Sequence, residues 1–170
     1  MDEHLSSFPM RWRLCGEKYD PLPDSALACI RHISDTELSR ALWRSLAAPL
    51  GDHLMEEMGP FFDDNRIIRR IANELWTDDL IPYDLAKILE PHRSLRCDSD
   101  TPLLLFWTSE VSVFTSWRIF EAYWHNFFYP SDDSGVLAYL DRPINLYFIE
   151  DKLYLVDREL LFARGMKPAG

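Results

Sequence analysis

The sequence has few cysteines, and none of them are paired at the spacing of a metal or redox motif. The three thiols, Cys15, Cys29 and Cys97, lie far apart. The absence of a Cys-x-x-Cys pair argues against a zinc site and against a thioredoxin-like motif. The phosphate-binding P-loop, the Gly-x-Gly-x-x-Gly fingerprint and the Gly-x-Ser-x-Gly elbow are also missing. We therefore expect reduced thiols, no cofactor, no metal and a cytoplasmic location.

Basic residues are also scarce. The chain contains 18 Lys and Arg and 28 Asp and Glu, which gives a formal net charge of −10 and a pI near 4.9. Phosphate binding needs a basic face, so the balance excludes a nucleic acid partner and disfavours an anionic membrane. It favours a basic protein partner that is steered in by charge, although a solvated acidic surface would have the same composition.

Long apolar runs are missing as well. The first twenty residues carry acids at positions 2 and 3 and show no signal-peptide pattern. The longest apolar run, at 102–107, is far too short to span a bilayer. With 170 residues, of which 47% are hydrophobic and 14% aromatic, the chain predicts a single globular domain with an aromatic core.

The periodicity predicts a helical part at about 20–91 and a sheet-rich part at about 103–158. Alternation over Met10–Cys15 indicates a strand that could join an edge of the sheet. Ser34 and Glu37 fit a capping box at a helix start. Isoleucines at helical spacing predict a helix over 65–76, and a further short helix precedes Pro91.

An aromatic segment at 114–133 is the most distinctive part of the chain. It places eight aromatic side chains within sixteen residues and ends in paired acids. On a helix, one arc would hold Trp117, Phe120, Tyr123, Trp124, Phe127 and Phe128. A base-stacking platform would expose its aromatics beside basic residues, so this pattern favours a buried helix face over a ligand platform.

The same segment resembles a bacterial family of unknown function whose proteins carry a Trp-x-x-Phe-x-x-x-Trp-x-Asn-Phe motif. The matching residues are Trp117, Phe120, Trp124, Asn126 and Phe127. The resemblance covers 103–156 best and 11–44 loosely, while 49–100 matches no part of it. It implies no activity. From its place beside the turn, Asn126 is expected to cap open backbone groups.

Several groups could carry chemistry. His53 and Glu56 have the i, i+3 spacing of metal ligands, but a lone pair does not make a site. Arg118, Glu121 and His125 share a helix face, as a catalytic histidine and its partners would. Cations beside Cys97, which are His92, Arg93 and Arg96, would activate its thiol if the fold held them close. For each group, an ordinary solvated surface explains the same residues.

Three Asp pairs lie next to turns or helix starts. They are Asp63, Asp64, Asp78, Asp79, Asp132 and Asp133. Capping and the helix dipole explain such pairs without a function, and paired carboxylates can also hold Mg²⁺ or act as acid and base. We interpret them as residues that would meet Lys and Arg on a basic partner.

The sequence therefore predicts one α+β domain with an antiparallel sheet of four to five strands, covered on one face by helices. The favoured function is a non-catalytic, acidic binding protein, such as an immunity or antitoxin-like protein that masks a basic toxin. One alternative is a small enzyme that uses His125 with Glu121, or an Asp pair with a metal. Another is a homo-oligomeric structural module, which an exposed apolar patch at a strand edge would indicate.

Overall fold

The fold combines six helices with a seven-stranded sheet in the part of the chain that is described. The computed structural model describes residues 5–16, 20–48, 51, 54, 64–92, 95, 97–129, 132 and 134–165. The strands are β1 Arg31–His32, β2 Ile68–Ala72, β3 Pro102–Phe106, β4 Ser112–Ser116, β5 Ser134–Tyr139, β6 Ile144–Ile149 and β7 Lys152–Asp157. The helices are α1 Arg11–Cys15, α2 Asp24–Leu27, α3 Thr36–Leu46, α4 Leu85–Leu89, α5 Trp117–Phe127 and α6 Arg158–Gly165.

The sheet is antiparallel throughout, in the order β1-β4-β3-β5-β6-β7-β2. The α+β class is thus confirmed, but four to five strands was too few. The additional strands are β1 and β2, which come from the part of the chain that was predicted to be helical. They are the two edge strands, and β1 has only two residues.

Three local predictions were wrong, two of them because distant contacts decide the structure. Residues 68–72 form β2 instead of a helix, because they pair with β7, and β-branched isoleucine suits a half-buried strand. Residues 11–15 form α1 instead of an edge strand, and Arg13 turns inward to an ion pair. The cap of α3 is Asp35 instead of Ser34, since Asp35 Oδ1 accepts from the backbone amides of the first turn.

Helices cover both faces of the sheet, so the prediction of one covered face was also wrong. Alternate residues of β3 point to opposite faces, and all four from Leu103 to Phe106 are buried. Leu103 and Leu105 pack in a cluster with residues of α1, α2, α4 and α5. Leu104 and Phe106 pack in a second cluster with α3 and α6. The strands β3, β5 and β6 are largely apolar because both of their faces are buried.

The helical prediction for the aromatic segment is confirmed, and α5 buries its arc against the sheet. The rings at positions 117, 120, 124, 127 and 128 are at most 6% exposed, and Tyr123 is half-buried beside them. Phe120 and Phe128 contact Phe148 of β6, and the Phe128 and Phe148 rings stack at 4.1 Å between centroids. The segment is the core of the domain and leaves no exposed stacking platform.

We expect Gly135→Ala in β5 to destabilise the fold by about 1–3 kcal/mol, because it overpacks this ring stack. A Cβ at Gly135 would lie 2.1 Å from Cε1 of Phe128, and the stack on Phe148 prevents that ring from withdrawing. Urea unfolding would measure the loss. Ala138→Gly, in the same strand, is the control for backbone effects. An unchanged midpoint for Gly135→Ala would contradict the described packing of Phe128.

Candidate functional site

Residues 75–83 form a tight hairpin between β2 and α4, here called the Leu80 hairpin. At its tip, the amide of Leu80 donates to the carbonyl of Thr77 at 2.8 Å. The amide of Thr77 donates to the carbonyl of Ile81 at 2.9 Å, and the amide of Ile81 donates to Thr77 Oγ1 at 3.1 Å. Three residues therefore lie between the paired positions 77 and 81, which is a short and fully hydrogen-bonded loop.

The base of the Leu80 hairpin is fixed to the core. Trp76 and Pro82 form an antiparallel bridge, and the amide of Tyr83 donates to the carbonyl of Leu75 at 2.9 Å. The amide of Leu75 in turn donates to Asp151 Oδ1 at 2.8 Å, which ties the hairpin to the turn between β6 and β7. Both Leu75 and Trp76 are buried. The tip thus projects from a rigid support.

Aromatic contacts hold Trp76 against α5. Its ring packs on Trp124 at 5.2 Å and stacks on Tyr129 at 5.9 Å between centroids. The edge of His125 contacts the same indole. The aromatic helix therefore positions the hairpin as well as filling the core.

The tip exposes apolar side chains beside acids. Leu80 is 65% exposed and Ile81 60%. Asp78 and Asp79 are exposed next to them. Sequence reasoning identified the two acids and missed the two apolar residues. The available signal was an apolar pair between two acids and a proline, in a segment with turn composition.

Carboxylates that pair with no described residue recur along the chain from the hairpin to the start of β3. Residues 74–100 contain seven Asp and Glu and three Lys and Arg. Six of these acids are exposed and make no ion pair or side-chain hydrogen bond with any described residue: Glu74, Asp78, Asp79, Glu90, Asp98 and Asp100. Their charge is not neutralised within the described part of the molecule.

The other predicted Asp residues are engaged within the fold. Asp132 is bound by the guanidinium of buried Arg13. Asp64 forms ion pairs with Arg66 and Arg164, and hydrogen bonding from Arg66 lowers the pKa of Asp64 to about 2. Asp63 and Asp133 lie outside the described residues. Of the six acids predicted to meet a partner, Asp78 and Asp79 are therefore the two that are exposed and form no ion pair with a described residue.

The three candidate catalytic residues of α5 do not form a cluster. No hydrogen bond or ion pair joins the side chains of Arg118, Glu121 and His125, all of which are described. Arg118 is exposed, Glu121 is half-buried, and His125 packs edge-on against Trp76 and Trp124. Asn126, the neighbour of His125, is buried.

Asn126 links two separate segments of the chain. Its Nδ2 donates to the carbonyl of Asp20 at 2.9 Å and, at 3.4 Å, to that of Arg13. A buried amide that satisfies two carbonyls is a structural tie between α5, α1 and the loop before α2. Capping of open carbonyls was expected, and the carbonyls belong to distant residues instead of the adjacent turn.

We expect stability to fall as the pH drops below about 7, in part through His125. Burial lowers the pKa of His125 below its ordinary value of 6.5, and nearby Asp20 partly opposes this. From pH 6.5 downward, the unfolded chain therefore binds the proton first, which favours unfolding. Burial lowers the pKa of His32 and His92 as well.

Urea unfolding of the wild type and of His125→Gln at pH 7.5 and pH 5.5 measures this effect. The loss of stability between the two pH values should be smaller for the variant. The lowered carboxyl pKa values act only below about pH 4, outside this window. An equal loss in both proteins would show that His125 is as easily protonated in the folded state as in the unfolded one.

A cavity of about 450 Å³ lies between α4 and α5. Its lining includes Cys97, Trp117 and Glu121, but it includes neither Arg118 nor His125. Burial raises the pKa of the Cys97 thiol, although Arg142 opposes the shift, and the thiol donates to the carbonyl of Leu95 at 3.3 Å. The thiol is therefore protonated near neutral pH and is not an activated nucleophile. Of the cations predicted to activate it, Arg93 and Arg96 lie outside the described residues.

The described residues contain no metal-ligating cluster of three or more side chains. His53 and Glu56 lie outside that part of the chain. None of the described helices has the length and apolar character needed to cross a bilayer.

Comparison with family models, with curated proteins and with solved structures finds no match to this chain. The resemblance carried by the Trp117–Phe127 motif stays a prediction.

Proposed function

We propose that this protein binds a basic protein partner and has no catalytic role, in the manner of an immunity or antitoxin-like protein that masks a basic toxin. The observation that carries this proposal is the segment 74–100, in which six exposed carboxylates have no cationic partner among the described residues. Like charges that repel one another weaken the fold, and a cationic surface would relieve that repulsion on binding.

Much of the positive charge is already used within the fold, which favours an acidic binding surface. Arg13, Arg40, Arg66, Arg142 and Lys152 each form an ion pair with an Asp or Glu. The six exposed acids that pair with no described residue could attract a partner of opposite charge, and such steering raises association rates.

The alternative of an enzyme has weaker support. Glu121 lines a cavity, but no described side chain orients it, and His125 lies outside that cavity. A general acid–base pair needs the two groups within hydrogen-bonding reach of a common substrate.

Affinity capture from a lysate of the producing organism, at low and high salt, tests the proposal. We expect one basic protein, retained near one-to-one at low salt and weakened at high salt. Asp78→Asn with Asp79→Asn should weaken capture several-fold. Asp24→Asn with Glu159→Gln, which removes two exposed charges elsewhere, is the matched control. Empty capture, or retention that is insensitive to salt, would contradict the proposal.

A further inference from the structure

At the tip of the Leu80 hairpin, the backbone of Leu80 adopts a conformation that is strained for a residue with a side chain. Leu80 has a φ of 59°, in the left-handed region that favours glycine and asparagine. Three-residue hairpin loops place a left-handed residue at this position, and it is commonly glycine. Leucine therefore costs stability at a place where glycine would relieve the strain. Strain of this kind is found at binding sites, where the exposed side chain has a use beyond the fold.

Exposed apolar side chains lie close together in the chain at the tip. Leu80 and Ile81 are neighbours in the chain, and Tyr83, which is 40% exposed, follows at the base. Single exposed apolar residues are ordinary, but adjacent ones held on a rigid loop are typical of interfaces. The hydrogen bonds of the loop and the packing of Trp76 on α5 hold the conformation of the tip in the free protein. Preorganisation of this kind lowers the entropy lost on binding.

We propose that this tip is the anchor by which the protein holds its basic partner. Leu80 and Ile81 would fill an apolar pocket of that partner, and Asp78 and Asp79 would pair with Lys or Arg at the rim of the pocket. This rests on the proposed function. The arrangement matches the usual anatomy of an interface, in which an apolar centre is surrounded by charged groups.

Charge argues for a basic protein over a second copy of this chain. Two tips meeting each other would bring four carboxylates together, from Asp78 and Asp79 of each copy. Like charges at close range destabilise an interface. A pocket rimmed by cations would pair with the same carboxylates.

The test compares two double variants in the lysate capture. Leu80→Gly with Ile81→Ser removes the anchor and keeps the hairpin backbone, because glycine accepts the left-handed conformation. Leu38→Ser with Leu160→Ser removes two exposed leucines elsewhere, 49% and 44% exposed. We expect the hairpin variant to retain at least tenfold less of the basic protein, with an unchanged or higher Tm. The control variant should retain as much as the wild type.

The outcomes separate this inference from the proposed function. If the wild type and the hairpin variant retain the basic protein equally, the anchor is wrong and the proposed function stands. If the wild type retains nothing, or retains a protein that is not basic, both are wrong. Sedimentation equilibrium tests self-association. If the wild type is a dimer and the hairpin variant is a monomer, the tip binds a second copy of this chain and the inference is overturned.

Discussion

Arg13→Met is expected to lower the free energy of unfolding by about 3–5 kcal/mol, because it leaves the Asp132 carboxylate without its cation. Arg13 is 6% exposed, and its guanidinium binds both carboxylate oxygens of Asp132. It also donates to the carbonyl of Phe127 at 3.3 Å and lies over the ring of Tyr129 at 5.1 Å. This one side chain joins α1 to the end of α5 and to the acidic turn that follows.

Urea unfolding measures the loss, and Arg118→Met is the matched control. Arg118 lies on the exposed face of α5 and forms no ion pair with a described residue, so its replacement should change stability by less than about 0.5 kcal/mol. Asp132→Asn combined with Arg13→Met should recover part of the loss, because the buried charge is then gone. A loss below 1 kcal/mol for Arg13→Met alone would show that the pair is solvated.

Phe120→Ala is expected to cost about 3–5 kcal/mol, since it opens a cavity at the centre of the aromatic core. The Phe120 ring is fully buried and contacts Phe127, Phe128 and Phe148 at centroid distances of 5.9–6.1 Å. Neighbouring rings are too rigid to fill the space that the phenyl group leaves. Thermal and urea unfolding would both report the loss.

Phe114→Ala is the control for this substitution. Phe114 belongs to the same aromatic segment, but it is 38% exposed on β4, so its replacement should cost much less. Equal losses for the two variants would contradict the separation of the segment into buried and exposed rings. A stable Phe120→Ala protein would contradict the assignment of the α5 arc to the core.

The strands and the helix after residue 100 could be predicted because their signals are local. Four of these strands contain an apolar run bounded by polar residues, β4 shows alternation, and the 117–127 helix has a continuous apolar arc. The hairpin between β6 and β7 was visible as two apolar runs around Glu150 and Asp151, and its turn is present with Glu150 at a positive φ of 53°.

Edge strand β2 and helix α1 could not be predicted because distant partners determine them. Isoleucines at 67, 68 and 71 match helical spacing, and only pairing with β7 makes the segment a strand. In α1, the inward direction of Arg13 depends on Asp132, near the other end of the chain. A local pattern carries no information about either contact.

The acids of the candidate site were predicted from the sequence, and its apolar tip was missed. Composition and charge indicate an acidic surface, but they do not show which carboxylates are paired within the fold. The tertiary structure shows that Asp132 and Asp64 are engaged, while Asp78 and Asp79 form no ion pair with any residue in the described part of the chain. The exposure of Leu80 follows from the hairpin geometry, for which the turn composition of 77–82 was the available signal in the sequence.

Site-specific photo-crosslinking tests the central claim most directly. A benzoylphenylalanine placed at position 80 would lie where Leu80 does, and one placed at the exposed position 38 of α3 serves as the control. In a lysate of the producing organism, we expect position 80 to crosslink to one basic protein, at a site bordered by Lys or Arg, and position 38 to give no such product. Crosslinking to that protein from position 38 and not from position 80, or to no basic protein from either, would contradict the account.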